Sequence, residues 1–216
     1  MYLTSDRRQN ASVRAVLRSP GLWLIVGALE ILFLIHLSEF LYPGYSVSEN
    51  YISDLGVGPM PSSALFAVAV ILFGLSALVA AALFRQRNKK SMIWLFLTLS
   101  GVGAIGVGVF NVDSISIVHR GSALLAFLFG NLAALYSYKM VRPPSSYIFA
   151  MLGLIGLLAL ALFGAEIYLG LGVGGMERMI LYPAMFWAIG FGAYLLAEER
   201  ALNRTSNEGL LQGKSL

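Results

Sequence analysis

Residues 62–84 read SSALFAVAVILFGLSALVAAALF (Ser62–Phe84), an apolar run with no Asp, Glu, Lys or Arg in it. The hydrocarbon core of a bilayer is roughly 30 Å thick, and about 20 residues of helix cross it. No water is available there to pair with backbone N–H and C=O groups, so a run of this length is a spanning helix and not an open strand. Working outward from it, the same test is met by Gly21–Tyr42, Ser91–Phe110, Ile117–Tyr138, Ser145–Tyr168 and Met176–Ala197. The expected fold is all-α: a polytopic membrane helix bundle with six transmembrane helices over residues 21–197, flanked by a segment 1–20 and a tail 198–216.

Composition agrees with this. Hydrophobic residues make up 58 % of the chain and charged residues 12 %, about half the roughly 25 % usual in soluble domains, which leaves no room for a separate soluble domain. There is no cysteine, so disulfides, thiolate metal ligands and cysteine nucleophiles are excluded. Residues 1–20 carry Arg7, Arg8, Arg14 and Arg18 and no small-residue cleavage site, as expected of a retained flank and not a signal peptide.

All but two of the 15 Lys and Arg residues fall in the N-terminal flank, the Arg85–Lys90 loop, the Lys139–Arg142 turn and the C-terminal tail. The positive-inside rule puts those segments, and both termini, in the cytoplasm of a cell-membrane protein. The basic charge is thus a topology signal, and nucleic acid is not an expected partner.

Within the third span, Ser100, Ala104 and Gly108 recur every four residues and Gly101, Gly103 and Gly106 widen the strip. Such a surface admits a close neighbour and predicts a place in the middle of the bundle. The outer segment Pro43–Pro61 predicts a short amphipathic cap helix: Ser46 and Glu49 have the spacing of a capping box, Val47, Tyr51 and Leu55 form its apolar side, and Gly56 stops it.

Ionisable residues in or beside spans are costly and mark polar interiors. They gather at the extracytoplasmic end: His36 and Glu39 on one face of the first helix, Glu49 and Asp54 in the cap, Asp113, His119 and Arg120 at the start of the fourth span, Glu166 at the end of the fifth, and Glu177 and Arg178 at the start of the sixth. The arginines sit at helix N-termini, where the dipole disfavours cations. They call either for internal partners among Asp113, Glu166 and Glu177 or for a phosphate or carboxylate ligand, which guanidinium binds in bidentate fashion. Arg120, Arg178, Glu39, Glu49, Glu166 and Glu177 are therefore the candidate ligand-binding set.

His36, His119, Asp113 and Asp54 are the candidate catalytic set. His36 and His119 with Asp113 would give the three ligands of an open zinc site if the fold joined them, although no His-x-x-x-His pair is present and no cofactor is named by the sequence. Ser48, Ser53 and Ser114 are either nucleophiles beside a histidine or helix caps. Glu30, near the midplane, is either a protonated carboxyl bonded to another helix or an ion relay.

The run Ser48-Glu49-Asn50-Tyr51-Ile52-Ser53-Asp54-Leu55-Gly56 resembles the Ile-Ser-Asp-Leu-Gly motif of the DUF998 family of small multispan proteins. His119-Arg120-Gly121-Ser122-Ala123 and Gly175-Met176-Glu177-Arg178 agree with the same pattern. The resemblance implies a six-span fold and no particular activity. The Glu49-Asn50-Tyr51 run is also similar to a segment of alkaline ceramidases, but the chain lacks their paired histidines in a late helix.

The residues support an accessory or ligand-binding membrane protein whose outer polar layer recognises a lipid headgroup or a partner subunit. An intramembrane hydrolase or transferase acting on an outer-leaflet lipid, with or without a metal, is the alternative. A transporter would want a midplane site and broken helices, and only Glu30 lies near the midplane.

Overall fold

The computed structural model describes residues 16–212; Arg7, Arg8, Arg14 and Lys214 of the charge pattern lie outside them. Six α-helices follow one another: α1 (Pro20–Phe40), α2 (Ser62–Arg87), α3 (Ile93–Val109), α4 (Ser116–Tyr136), α5 (Ser145–Gly164) and α6 (Gly172–Gln212). The described residues contain no strand. Five of the helices are long and apolar enough to cross a membrane. The sixth, α3, has 17 residues, at the short end of what a span requires, and packs along its length between α2 and α4. The chain is a multi-pass membrane protein.

Its helices carry large apolar side chains outward as well as inward. Large apolar side chains such as Phe33, Val102, Leu154 and Phe186 face outward, while Gly, Ala and Ser are prominent among the buried positions. Without a hydrophobic drive between helices in lipid, close backbone approach is what holds them. At the α2–α3 crossing, a Cβ on Gly74 would stand 2.7 Å from the Gly101 carbonyl oxygen, and one on Gly101 would stand 2.8 Å from that of Gly74. No other residue type fits at either position.

Neighbours in sequence are neighbours in space, and α6 returns to pack on α1, so the helices form a closed ring; α6 also touches α4. This corrects the central place expected for α3. Its small-residue strip is used to approach α2 on one side and α4 on the other, where Ser100 donates to the Ala126 carbonyl at 3.0 Å. The helices with most helix neighbours are α4, which contacts α3, α5 and α6, and α6, which contacts α1, α4 and α5. Pro183 interrupts α6 and deprives the Met179 carbonyl of its donor. One residue on, the Ile180 carbonyl accepts from Asn131 Nδ2 at 3.1 Å, a neighbouring helix covering backbone that the proline disturbs.

The two ends of the ring are tied differently. At the basic end, Arg87 pairs with Glu199 and donates to the Arg18 carbonyl, and Ser19 donates to the same Glu199, joining α1, α2 and α6. The helix then continues without a break past residue 198, so the described part of the tail is an extension of α6.

At the other end lies the cap. It is a single turn over Ser46–Asn50 followed by a 3-10 helix, Ile52–Val57. Ser46 Oγ accepts from the Glu49 N–H at 3.3 Å as its spacing predicts, but Asn50, not Glu49, reaches back to the Ser46 N–H, at 2.9 Å. Asp54 then starts the 3-10 helix by accepting from the Tyr51 N–H at 2.9 Å. Threefold spacing replaces fourfold spacing, so the buried side is Ile52 and Leu55, while Val47 and Tyr51 are exposed.

Candidate functional site

Adjacent residues at the start of α6 face two different tasks. Arg178 is 5 % exposed. One terminal nitrogen donates to the Val47 carbonyl at 3.1 Å and the Gly174 carbonyl at 2.9 Å, and the other donates to Tyr45 Oη at 3.0 Å and pairs with Glu39. Tyr45 passes its own proton to the Tyr51 carbonyl at 2.8 Å. Burial pushes the Tyr45 phenol up to about 12, with Arg178 pulling the other way, so it stays neutral and can serve both bonds. The guanidinium is thus an internal fastener between α1, the cap and α6. Its partner is Glu39, and not the Asp113, Glu166 or Glu177 that the sequence offered; Nε alone is left buried without a partner. Glycine makes the contact possible: the cap backbone lies against Gly172 and Gly174, where a side chain would collide with Ser48 and Asn50. The Gly174 N–H also donates to the Ser48 carbonyl at 3.0 Å.

Glu177 is 6 % exposed, and one of its oxygens accepts from the Ile52 N–H of the cap. It lines a cavity that runs inside the ring between α1, α2, α3, α4 and α6, with α5 standing outside the lining. On α4 the wall is His119, Ala123, Ala126, Phe127, Gly130 and Asn131, one stripe about 18 Å long at 1.5 Å per residue. On α6 the wall runs from Glu177 to Ala188. The space open to the centres of water-sized molecules is about 80 Å³, which over that length makes a narrow channel. Its wall is mostly apolar, and the cap end carries Ser53, His119 and Glu177.

His119 is 4 % exposed, and its Nδ1 lies 2.7 Å from the Phe110 carbonyl oxygen. A carbonyl only accepts, so the proton is on Nδ1 and Nε2 carries a bare lone pair in the neutral ring.

The other candidates do not converge on this point. His36 is on the exposed side of α1, donating to the Leu32 carbonyl at 2.6 Å with its ring stacked on Tyr182, and it does not line the cavity. Asp113 is exposed in the α3–α4 connection, and Asp54 is occupied with the cap. The catalytic grouping of His36, His119, Asp113 and Asp54 is therefore not assembled. The three-ligand metal site is not assembled either: no group of three or more His, Asp or Glu placed to hold a metal occurs among the described residues. Arg120, Glu49 and Glu166 are exposed, the last at φ 59°, and no cluster forms between them. Glu30, expected to bond to another helix, has both carboxyl oxygens buried without a hydrogen-bond partner. What the residues alone did not disclose is the cavity, because its wall is drawn from five helices with no contiguous signature.

All three stretches that carry the family resemblance meet at the cap end of this cavity: Ile52 and Ser53 from the first, His119 and Ala123 from the second, Glu177 from the third. The model of the family described as a protein of unknown function, DUF998, matches residues 25–194. The chain belongs to the DUF998 family. Its match takes in α2 to α5, nearly all of α1, the cap and the first part of α6. No curated protein and no solved structure matches the chain.

Proposed function

We propose that this DUF998 protein is a lipid-binding membrane protein that holds one apolar chain inside its ring of helices, the cap covering the chain's polar end. The observation that carries this reading is the apolar channel beginning beneath the cap. Its lining runs about 18 Å along α4 and reaches down α1 from Ile35 to Trp23, three residues from the start of that helix, so the chain would lie along most of a hydrocarbon core of roughly 30 Å. With the basic end cytoplasmic, the polar end under the cap is extracytoplasmic. Buried, mostly apolar walls with a few convergent polar groups are the usual make-up of a small-molecule site. An enzyme reading draws less support, since His36, Asp113 and Asp54 lie apart from His119 and the channel.

The test is lipid retention. Ala123→Phe places a ring in the channel and should strip co-purifying lipid, read by native mass spectrometry, while the helical circular dichroism is kept. Leu181→Ala widens the channel and should retain lipid. An Ala123→Phe protein that folds and carries the parent's lipid complement overturns the reading.

A further inference from the structure

We infer that the molecule filling the channel presents a hydrogen-bond donor, a hydroxyl or an ammonium, to the cap end, and not an anionic head. The inference rests on the lipid-binding reading and names the chemistry of its ligand.

Of the three polar residues that line the channel at that end, two present an unpartnered acceptor. His119 Nε2 has no hydrogen-bond partner among the described residues, because the ring spends its proton on the Phe110 carbonyl. Glu177 accepts from the Ile52 N–H through one oxygen, and the other has no hydrogen-bond partner among the described residues. Both residues are more than nine-tenths buried and both line the channel. Neither atom is sealed off as Asn131 Oδ1 is; an acceptor that faces a mostly apolar channel without a donor is costly, and more so when it is a carboxylate. Ser53, the third polar residue there, can act either way.

Nothing at this end offers an anion a positive partner. No Lys or Arg lines the channel. Arg178 lies beside it in sequence, but its terminal nitrogens are engaged with Val47, Gly174, Tyr45 and Glu39. Arg178 forms its salt bridge with Glu39, and Glu177 has none among the described residues. A phosphate or carboxylate head would meet a carboxylate and a lone pair. A hydroxyl can satisfy one of them, and an ammonium can donate to both and offset the charge.

Four probes with the same chain decide the matter: dodecanol, dodecylamine, dodecanoate and dodecyl phosphate, offered to the full-length protein in nanodiscs of zwitterionic lipid. Binding is read by native mass spectrometry and by the shift in melting temperature. Dodecanol or dodecylamine should bind about tenfold or more tightly than either anion, the worth of one hydrogen bond to a charged group. Glu177→Gln keeps an acceptor for Ile52 and should bring dodecylamine and dodecyl phosphate to within about threefold of each other, by removing that charged partner. Preference for the alcohol alone, the amine alone or both supports the inference. Anions that bind as well as the donors overturn it and leave the lipid-binding reading standing. If none of the four binds wild type the inference falls, and if Ala123→Phe also keeps the parent's lipid the lipid-binding reading falls with it.

Discussion

Removing Arg178 should release the cap. In Arg178→Met the side chain keeps its length and apolar stem but loses the ion pair with Glu39 and the bonds to Val47, Gly174 and Tyr45. Glu39 is then left with a side chain 11 % exposed and no cation. Breaking a buried pair by deleting one partner costs about 3–5 kcal/mol, because the remaining charge is uncompensated. For a chain of this size each kcal/mol moves the melting temperature by about 2–4 °C, so a fall of about 10 °C is expected. Intrinsic tryptophan fluorescence in mild detergent follows it, with Trp23, Trp94 and Trp187 as reporters. The double variant Arg178→Met with Glu39→Met should recover part of the loss, since neither charge is then buried alone. Melting within 2 °C of the parent for Arg178→Met, against the roughly 10 °C drop expected from the cost of an orphaned charge, would refute the fastener.

Glu30→Leu should raise the melting temperature by a few degrees, as a carboxyl buried without a partner costs about 1–3 kcal/mol that an apolar side chain does not; a fall would show that Glu30 has a partner or a task. Orientation can be read by cysteine labelling, as the native chain has no cysteine. Cysteines at Gly58 and Ser114 should react in sealed cells with an impermeant thiol reagent, and one at Asn88 should not. The opposite pattern would put the cap on the cytoplasmic side.

The spans were legible because a bilayer imposes a length that composition cannot disguise. Gly21–Tyr42 became Pro20–Phe40, and Ser145–Tyr168 became Ser145–Gly164. The ring was not legible: the Gly101 and Gly103 strip says that neighbours come close, not how many there are. The cap was legible in place and not in register. Ser46 has two side chains competing to answer it, and the amide of Asn50 reaches the Ser46 N–H where the Glu49 carboxylate was expected. The 3-10 helix that follows is opened by Asp54, which accepts from the Tyr51 N–H.

For the site, the groupings read from the sequence are not the ones that the structure assembles. Charge and helix position both said that Arg178 needs an anion. Its partner Glu39 is 139 residues away in sequence, beyond the reach of any local spacing rule. Histidine was the stronger lure, yet His36 and His119 stand on different sides of the ring wall, one against Tyr182 and one in the channel. Glu177 and Arg178, adjacent in sequence, both bond to the cap. Arg178 holds the cap by Val47 and Tyr45, while Glu177 holds it by Ile52 and at the same time forms channel wall. The cap is therefore part of the channel's lining and not a lid laid over it. A donor that took Glu177 away from the Ile52 N–H would loosen the 3-10 helix at its first residue, whereas one that used only the free oxygen would leave the cap closed.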